Sequence, residues 1–359
     1  MDDESPRLRL ALIAQPATPS AALGGLDQVR WLAEGLAERG HHVTLIGAGL
    51  GGLVDARYAV TDTGPGGHRA GAEAVELRHA EAAGVALARL EADVVSDHTR
   101  GGYRPADGRP VPTAHTVYQP MPLAWAAGPH LPEHAGFVAV SLHQQRYVPS
   151  LPWRDVIHPG IPVAEHPLSL DHSGPCLYLG PLLRGHGARL ALRAAHEAGR
   201  PVTLVGTAPG GEADAYAATE LRPHLGREDL LLPEVGPRER RELLGRACCL
   251  IAPVRPEEPY SLAIVEALAH GTPVVGLHDT VAAELVRHGV SGWLVLDPDD
   301  LAVMVGKVGR LDPGTVRRQA VRFDVSAMVS AYEGLFIRLQ PSCAGGGART
   351  LTPSRAQRF

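Results

Sequence analysis

Two glutamates with seven residues between them, Glu258 and Glu266, are the strongest candidates for chemistry in the sequence. They lie in RPEEPYSLAIVEALAHGTPVVG, where the pattern predicts the end of a strand, a loop and then a helix from about Ser261. A carboxylate in the loop, such as Glu258, can accept hydrogen bonds from sugar hydroxyls. A carboxylate two turns into the helix, such as Glu266, can bind both cis hydroxyls of a ribose, as the acidic residue of dinucleotide-binding folds does.

The start of the same helix is a candidate anion site. The backbone N–H groups of Ser261, Leu262 and Ala263 have no partners within the helix, and together with the helix dipole they favour a diphosphate. The residues alone leave a second interpretation open. In that interpretation the helix is an ordinary amphipathic one, and Glu258 is an acid that interacts favourably with the dipole.

Histidines at predicted strand ends form a further candidate group. His115 lies in VPTAHTV and can donate a hydrogen bond to a sugar hydroxyl or act as a general base. His98 follows another predicted strand, in DVVSDH. Because the chain contains 18 histidines, a surface or core role is the alternative for each of these two.

A glycine pair precedes the first predicted helix. Gly24 and Gly25 end the loop at 15–25, and glycines in that place let the backbone approach a phosphate closely at the helix N-terminus. A plain flexible turn is the alternative. The pair is not part of a G-x-G-x-x-G motif, so it does not predict dinucleotide binding.

Short apolar runs alternate with amphipathic helical runs, which predicts parallel sheets joined by right-handed helical crossovers. A length of 359 residues suits two such domains. Residues 1–160 form the first predicted domain, a proline-rich linker follows at 161–175, and residues 176–322 form the second domain. A helical run at 323–340 closes the pattern, and the tail at 341–359 is predicted to be disordered.

Doubly wound sheets bind ligands beyond the carboxyl ends of their strands, and two such domains enclose a cleft. The sequence therefore predicts an α/β enzyme that acts on a nucleotide or a nucleotide derivative between its domains. The glycine-rich stretch at 50–72 is predicted to be a loop.

The composition excludes several classes of protein. An apolar share of 45% and a charged share of 20% are ordinary for a globular chain, so extensive disorder is excluded. The net charge of −5 argues against a nucleic-acid partner, and no apolar run suits a membrane span or a leader. Four cysteines without C-x-x-C spacing predict a reduced, cytoplasmic protein without zinc or disulfides. Only one of the 34 basic residues is a lysine, Lys307, which is typical of high-GC genomes.

The segment EPYSLAIVEALAHGTPVV, followed by AAELVRHGVSGWLV, resembles the donor-binding signature of glycosyltransferase family 4, which contains retaining enzymes of the GT-B fold. The resemblance extends over nearly the whole chain. It includes the glycine pair, T-x-H at 113–115, FVAVS at 137–141, VIHPGI at 156–161 and the final helix DVSAMVSAYEGLF. It implies an α/β architecture of two Rossmann-like, doubly wound domains that face each other across a cleft, with the C-terminal helix crossing back to the first domain.

The resemblance also implies a reaction. A sugar would pass from a nucleotide-diphosphate sugar to an acceptor, with retention of the anomeric configuration and with neither metal nor cofactor. Glu266 would bind the ribose, Glu258 would contact the donor sugar, and His115 would lie near the reaction centre. Gly24 and Gly25 would contact the diphosphate or the sugar from the other side of the cleft. Such catalysis consists mainly of positioning and of stabilising charge on the departing diphosphate.

The phosphate-binding segment departs from the family pattern. The family usually has G-R-L-x-x-x-K-G, whereas this chain has GPLLRGHG at 180–187. Pro181 occupies the arginine position and His186 the lysine position. Arg184, His186 or Arg255 could supply the missing charge, and we expect Arg184 to take part in catalysis.

Two hypotheses follow. The first is an active retaining glycosyltransferase in bacterial secondary-metabolite or glycoconjugate biosynthesis, with a small molecule or a glycan as acceptor. The second is a catalytically impaired relative that binds a nucleotide sugar and helps a partner. The presence of both glutamates favours activity, and the loss of two cations favours the helper. Glu284, in AAELV, matches a recurrent acid of the family and is expected to have a structural role.

Overall fold

The computed structural model describes residues 6–16, 25–50, 55, 57–63, 72–100, 102, 111–120, 135–207 and 211–340. Gly24 and the predicted tail at 341–359 lie outside these residues. Among the helices that are described, none combines the length and the apolar character needed to cross a membrane.

The first sheet has seven parallel strands in the described part of the chain. The strands are β1 (Arg9–Ile13), β2 (His42–Gly47), β3 (Ala59–Asp62), β4 (Val94–Asp97), β5 (Thr113–Val117), β6 (Ala135–Ala139) and β7 (Trp153–Val156). Their spatial order is β3-β2-β1-β4-β5-β6-β7. β1 is an almost wholly buried apolar run, as expected for a central strand that is covered on both faces. The helices of the first domain that the structure describes are α1 (Gly25–Glu38), α2 (Ala72–Leu87) and α3 (Leu142–Tyr147).

The second sheet has six parallel strands among the residues that the structure describes. They are β8 (Cys176–Leu179), β9 (Val202–Val205), β10 (Leu230–Leu232), β11 (Cys249–Ala252), β12 (Val274–Leu277) and β13 (Gly292–Val295). The spatial order is β10-β9-β8-β11-β12-β13. The strands after β8 therefore run first to one side and then to the other, which makes the gap between β8 and β11 the topological switch point.

Helices cover both faces of this second sheet, and the last helix packs on the first domain. They are α4 (Ala188–Glu197), α5 (Glu212–Tyr216), α6 (Pro237–Arg246), α7 (Leu262–His270), α8 (Ala282–Leu285), α9 (Leu301–Val305), α10 (Pro313–Ala320) and α11 (Val325–Leu339). Local signals set several ends. Pro237 is the first residue of α6, and Gly271, with φ 81°, ends α7 in a left-handed conformation that glycine adopts easily.

The last helix, α11, packs on the first domain. Tyr332 and Phe336 of α11 lie in the same buried cluster as Leu32 and Leu36 of α1. The two helices come close at Gly35, where a Cβ would lie 2.5 Å from a methyl carbon of Val329. The chain thus folds as the sequence predicts, into two doubly wound α/β sheets with a terminal helix that returns to the first.

The stretch at 50–72 is not entirely a loop, because it contains the strand β3. This strand is the edge of the sheet, and its four residues are half-exposed or exposed. An edge strand needs no continuous apolar run, so the periodicity that identifies the central strands is missing here. The short β-branched pair Val60 and Thr61 is the only local signal.

Candidate functional site

A pocket lies at the switch point of the second sheet. Its walls come from the end of β8, from the end of β11 and the loop after it, and from the start of α7. Side chains and backbone of Tyr178, His186, Arg255, Glu258, Ser261 and Ala263 line it. This is where a doubly wound sheet presents a ligand site, so topology and cavity agree.

Arg255, His186 and Glu258 form a polar group on the pocket wall. Nη1 of Arg255 donates a hydrogen bond to Nε2 of His186 over 2.8 Å, and Nδ1 of His186 lies 3.9 Å from Oε1 of Glu258. The other arm of Arg255 pairs with Glu257. Since arginine can only donate, Nε2 of a neutral His186 must be the acceptor, and its proton lies on Nδ1, on the side of Glu258.

The two titratable neighbours of Arg255 respond to burial and to its charge. Burial lowers the pKa of His186, and the positive charge of Arg255 lowers it further. Burial raises the pKa of Glu258, and Arg255 opposes that rise. Both effects favour the neutral form of His186 near pH 7, so it lacks the fixed positive charge of the lysine in the family pattern. Among the described residues that line the pocket, Arg255 is the only arginine or lysine.

The loop between β8 and α4 gives the pocket its shape. The Tyr178 hydroxyl lies 3.0 Å from the carbonyl oxygen of Pro181 and 2.9 Å from that of His186, so it holds both ends of the loop. Gly185 and Gly187 have φ values of 83° and 96°, which residues other than glycine rarely adopt. These contacts fix His186 beside Arg255.

Gly187→Ala is expected to lower the free energy of unfolding by about 1–3 kcal/mol. Alanine is strained at this φ, and its Cβ would lie 2.7 Å from the carbonyl oxygen of Pro253 on the pocket wall. Denaturant titration measures the change. Gly185→Ala is the matched control, because its φ is similar but nothing lies within 4 Å of the added Cβ. Equal losses in the two variants would contradict a contribution from the close contact with Pro253.

The start of α7 faces the pocket through some of the predicted residues. Ser261 is the N-cap residue, its side chain makes no capping hydrogen bond, and both Ser261 and Ala263 line the pocket. The first N–H groups of α7 consequently have no side-chain partner from the cap and are available to an anion. Leu262 does not line the pocket and packs against the core of the domain.

Glu266 is held by an arginine that no sequence motif identifies. Its side chain is 1% exposed, and Nε and Nη2 of Arg240 lie 2.9 and 2.5 Å from Oε2. Arg240 is in α6, and no local pattern pairs it with a residue of α7. A carboxylate has about four acceptor positions and Arg240 occupies only some of them, but Glu266 is buried and is not among the described residues that line the pocket.

The structure does not bring Arg184 to the pocket. Its side chain is 78% exposed, and its Nη2 lies 2.7 Å from Oε1 of Glu220. The glycine-rich loop carries it to the outer surface. Of the three residues that the sequence offers as replacement cations, only Arg255 is both charged and on the pocket wall.

His115 lies on the first domain, paired with an aspartate. Nδ1 of His115 is 3.0 Å from Oδ2 of Asp97, and the two residues are direct partners on β5 and β4. Burial acts to raise the pKa of Asp97, but the charge and hydrogen bond of His115 and the hydrogen bonds from Thr99 outweigh it, so that pKa is lowered. An ionised Asp97 fixes the ring orientation of His115.

His98 has the core role that was the alternative interpretation. Its Nε2 lies 2.8 Å from Oγ of Ser96 and its Nδ1 lies 2.9 Å from the hydroxyl of Tyr118. Burial lowers the pKa of His98 to about 3, so the ring is neutral.

Of the predicted glycine pair, Gly25 is the first residue of α1, and Gly24 is outside the described residues.

Glu284 connects the two domains. Its carboxylate accepts hydrogen bonds from the N–H groups of Leu142 and His143 over 2.9 Å each, and Nε2 of His158 lies 2.6 Å from it. Ser141, the N-cap residue of α3, donates to the carbonyl oxygen of Pro259 over 2.6 Å. The loop that carries Glu258 is therefore anchored to the first domain.

Comparisons with known proteins agree with this architecture. Residues 176–311 match the family Glycosyl transferases group 1. The chain is 33% identical over 208 residues to a D-inositol 3-phosphate glycosyltransferase of Mycolicibacterium gilvum, a match that covers 53% of this chain and 46% of the relative. The chain spans about half the length of the curated relatives it matches.

Two solved structures share the fold. One is AviGT4, a glycosyltransferase involved in avilamycin A biosynthesis, with a TM-score of 0.69, 24% identity and coverage of 92% of this chain and 98% of that one. The other is Anabaena Alr3699/HepE in complex with UDP-glucose, with a TM-score of 0.65, 17% identity and coverage of 90% and 98%.

Two doubly wound sheets, a pocket at the switch point of the second and a terminal helix that returns to the first define a GT-B glycosyltransferase fold. Within the second domain, residues 176–311 match the model of the group 1 glycosyl transferases. The GT-B fold that the resemblance implies is confirmed.

Proposed function

We propose that the protein is a retaining, metal-independent glycosyltransferase that moves a sugar from a nucleotide-diphosphate sugar to an acceptor hydroxyl. The observation that carries the proposal is the pocket in which Arg255, Glu258 and the start of α7 converge at the switch point. The acceptor would be a bacterial secondary metabolite or a glycan precursor. The reaction would take place in the cytoplasm, where the chain's free thiols stay reduced.

The donor would lie across the second domain. Its diphosphate would contact the free N–H groups of α7 and the guanidinium of Arg255, both of which favour developing negative charge. Glu258 would accept hydrogen bonds from the sugar hydroxyls, and Glu266, oriented by Arg240, would bind the ribose. No metal is part of this proposal, because the positive charge at the diphosphate comes from the chain itself.

The acceptor would enter from the first domain. His115, oriented by Asp97, would lie on that side of the cleft and could hydrogen-bond the reacting sugar or the acceptor hydroxyl. Gly24 and Gly25 would approach the donor from the same side. The N-cap contact between Ser141 and Pro259 would keep the Glu258 loop aligned with these groups.

Glu258→Gln is expected to lower kcat/KM for transfer by about 10–100-fold, since a hydrogen bond to a charged group contributes roughly 1.5–3 kcal/mol. The assay uses a panel of nucleotide sugars and acceptors, with UDP-glucose as the first donor, and NMR of the product assigns the anomeric configuration. Glu242→Gln, exposed on α6, is the control. Inversion at the anomeric carbon would contradict the retaining mechanism. Unchanged kcat/KM in Glu258→Gln would show that Glu258 does not contact the donor sugar.

A nucleotide-sugar-binding helper is the second candidate. Pro181 and the neutral His186 favour it, because they leave Arg255 as the one cation among the described pocket residues. Calorimetric binding of a nucleotide sugar, without hydrolysis or transfer in any acceptor mixture, would favour the helper over the enzyme.

A further inference from the structure

Three cysteines lie together at the amino ends of two neighbouring strands of the second domain. Cys176 begins β8 and Cys249 begins β11, and the two residues are direct partners in the parallel pairing. Cys248 immediately precedes β11. Sγ of Cys176 is 3.6 Å from Sγ of Cys248 and 3.9 Å from Sγ of Cys249, and all three sulfur atoms lie within 4.8 Å of one another.

These separations match those of a metal–thiolate centre. With metal–sulfur bonds of about 2.3 Å and tetrahedral angles, bound sulfur atoms lie about 3.8 Å apart. The distances from Sγ of Cys176 to the other two sulfur atoms are close to this value, so the three thiols are near the spacing that one bound ion requires. Cys176 and Cys249 are fully buried and Cys248 nearly so, which suits a structural site more than an exposed reactive thiol.

We propose that Cys176, Cys248 and Cys249 form a three-thiolate site for a thiophilic divalent ion of the zinc type. Binding forms three metal–sulfur bonds and releases three thiol protons to solvent. The fourth coordination position is left to a small ligand such as water, as in sites with three protein ligands. The site differs from the expectation, drawn from the absence of C-x-x-C spacing, that the chain has no zinc ligands.

The surroundings offset the charge of such a centre. One divalent ion and three thiolates carry a net charge of −1, and an unpaired buried charge is unfavourable. The positive charge of Arg200 reaches both Cys176 and Cys248. Arg200 is exposed and lies just before β9, at the same end of the strands as the cysteines. There the N–H of Cys176 donates to the carbonyl oxygen of Pro201 over 2.8 Å.

The position of the site suggests what the ion does. β8 and β11 border the switch point, and their carboxyl ends form the walls of the pocket. An ion at their amino ends would link the two strands through metal–sulfur bonds, in addition to the backbone hydrogen bonds that already join them. The ion would thus stabilise the pocket without contacting the substrate, so the site is independent of the chemistry proposed above.

The test uses the full chain with Cys343→Ala, so that the three clustered cysteines are its only thiols. The protein is purified anaerobically, loaded with Zn²⁺, dialysed and analysed for metal by mass spectrometry. We expect one zinc per chain and a raised melting temperature. Replacement by Co²⁺ should produce thiolate-to-cobalt charge-transfer absorbance and the intense visible bands of a tetrahedral site.

Cys176→Ala in the same background should weaken metal binding by more than about 100-fold, with circular dichroism used to check that the variant folds. The cobalt spectrum of the parent chain needs no core substitution, so it remains decisive if the variant is unstable. Three results would overturn the proposal. They are no retained metal in a folded parent, equal metal content after Cys176→Ala, or a Cys176–Cys248 disulfide in place of bound metal.

Discussion

Replacing Arg255 by glutamine is expected to lower kcat/KM for glycosyl transfer by about 10²–10³-fold, the loss found when one donor to a developing negative charge is removed. The proposed transition state places new charge on the departing diphosphate. In the described pocket Arg255 is the only fixed cation that can meet it, since His186 is neutral and Pro181 has no N–H. The loss should fall mainly on kcat, because that charge is greatest in the transition state.

Arg184→Gln is the matched control for this experiment. It removes the same charge from the same domain, but from a side chain that is 78% exposed and paired with Glu220. We expect little change in its kcat/KM. A large loss in Arg184→Gln with none in Arg255→Gln would show that Arg184 moves into the pocket when the donor binds, and would reverse the assignment.

The Arg255 variant should also change the pH dependence. Burial and the charge of Arg255 both lower the pKa of His186, and the substitution removes the second of these causes. The pKa of His186 then rises, so a larger fraction of the imidazole is protonated at the lower end of the pH range. Because a protonated His186 would restore a cation beside the diphosphate, the defect of Arg255→Gln should become smaller as the pH falls.

The order of the secondary structure could be predicted from local patterns. β11 is a short, fully apolar run and β1 is apolar after Arg9, while α7 begins after a loop and ends at a glycine, so the period, the breakers and the caps agree. This agreement also placed Glu258 in a loop at the end of a strand, where the pocket lies. β3 was missed because an exposed edge strand carries no apolar pattern.

The partners of the site residues could not be predicted in the same way. His115 meets Asp97 only because β5 lies beside β4, and strand order is not written in the local sequence. Arg184 and Arg255 are both loop arginines that follow a strand. What separates them is the path of the β8–α4 loop, which depends on the positive φ angles of Gly185 and Gly187 and on Tyr178.

Arg240 shows the same limit with a larger consequence for stability. Arg240→Met is expected to lower the free energy of unfolding by about 3–5 kcal/mol, because it leaves the carboxylate of Glu266 buried without a partner. Glu266 is 1% exposed and Arg240 only 15%, so water screens the pair little. Denaturant titration measures the loss, and Arg238→Met, on the same helix but 90% exposed, is the control. A loss below about 1 kcal/mol, the level of surface ion pairs, would contradict this interpretation.

A second substitution separates the two roles of Glu266. Arg240→Met combined with Glu266→Leu removes both charges, and a buried ion pair replaced by apolar residues of similar size is often neutral or stabilising. We therefore expect the double variant to regain most of the stability lost in Arg240→Met. If Glu266 binds the ribose, the double variant should fold but fail to bind the nucleotide sugar, because the carboxylate that accepts hydrogen bonds from the two ribose hydroxyls is gone. If the double variant binds the donor as well as the parent chain does, Glu266 contributes to the fold alone and other residues bind the ribose.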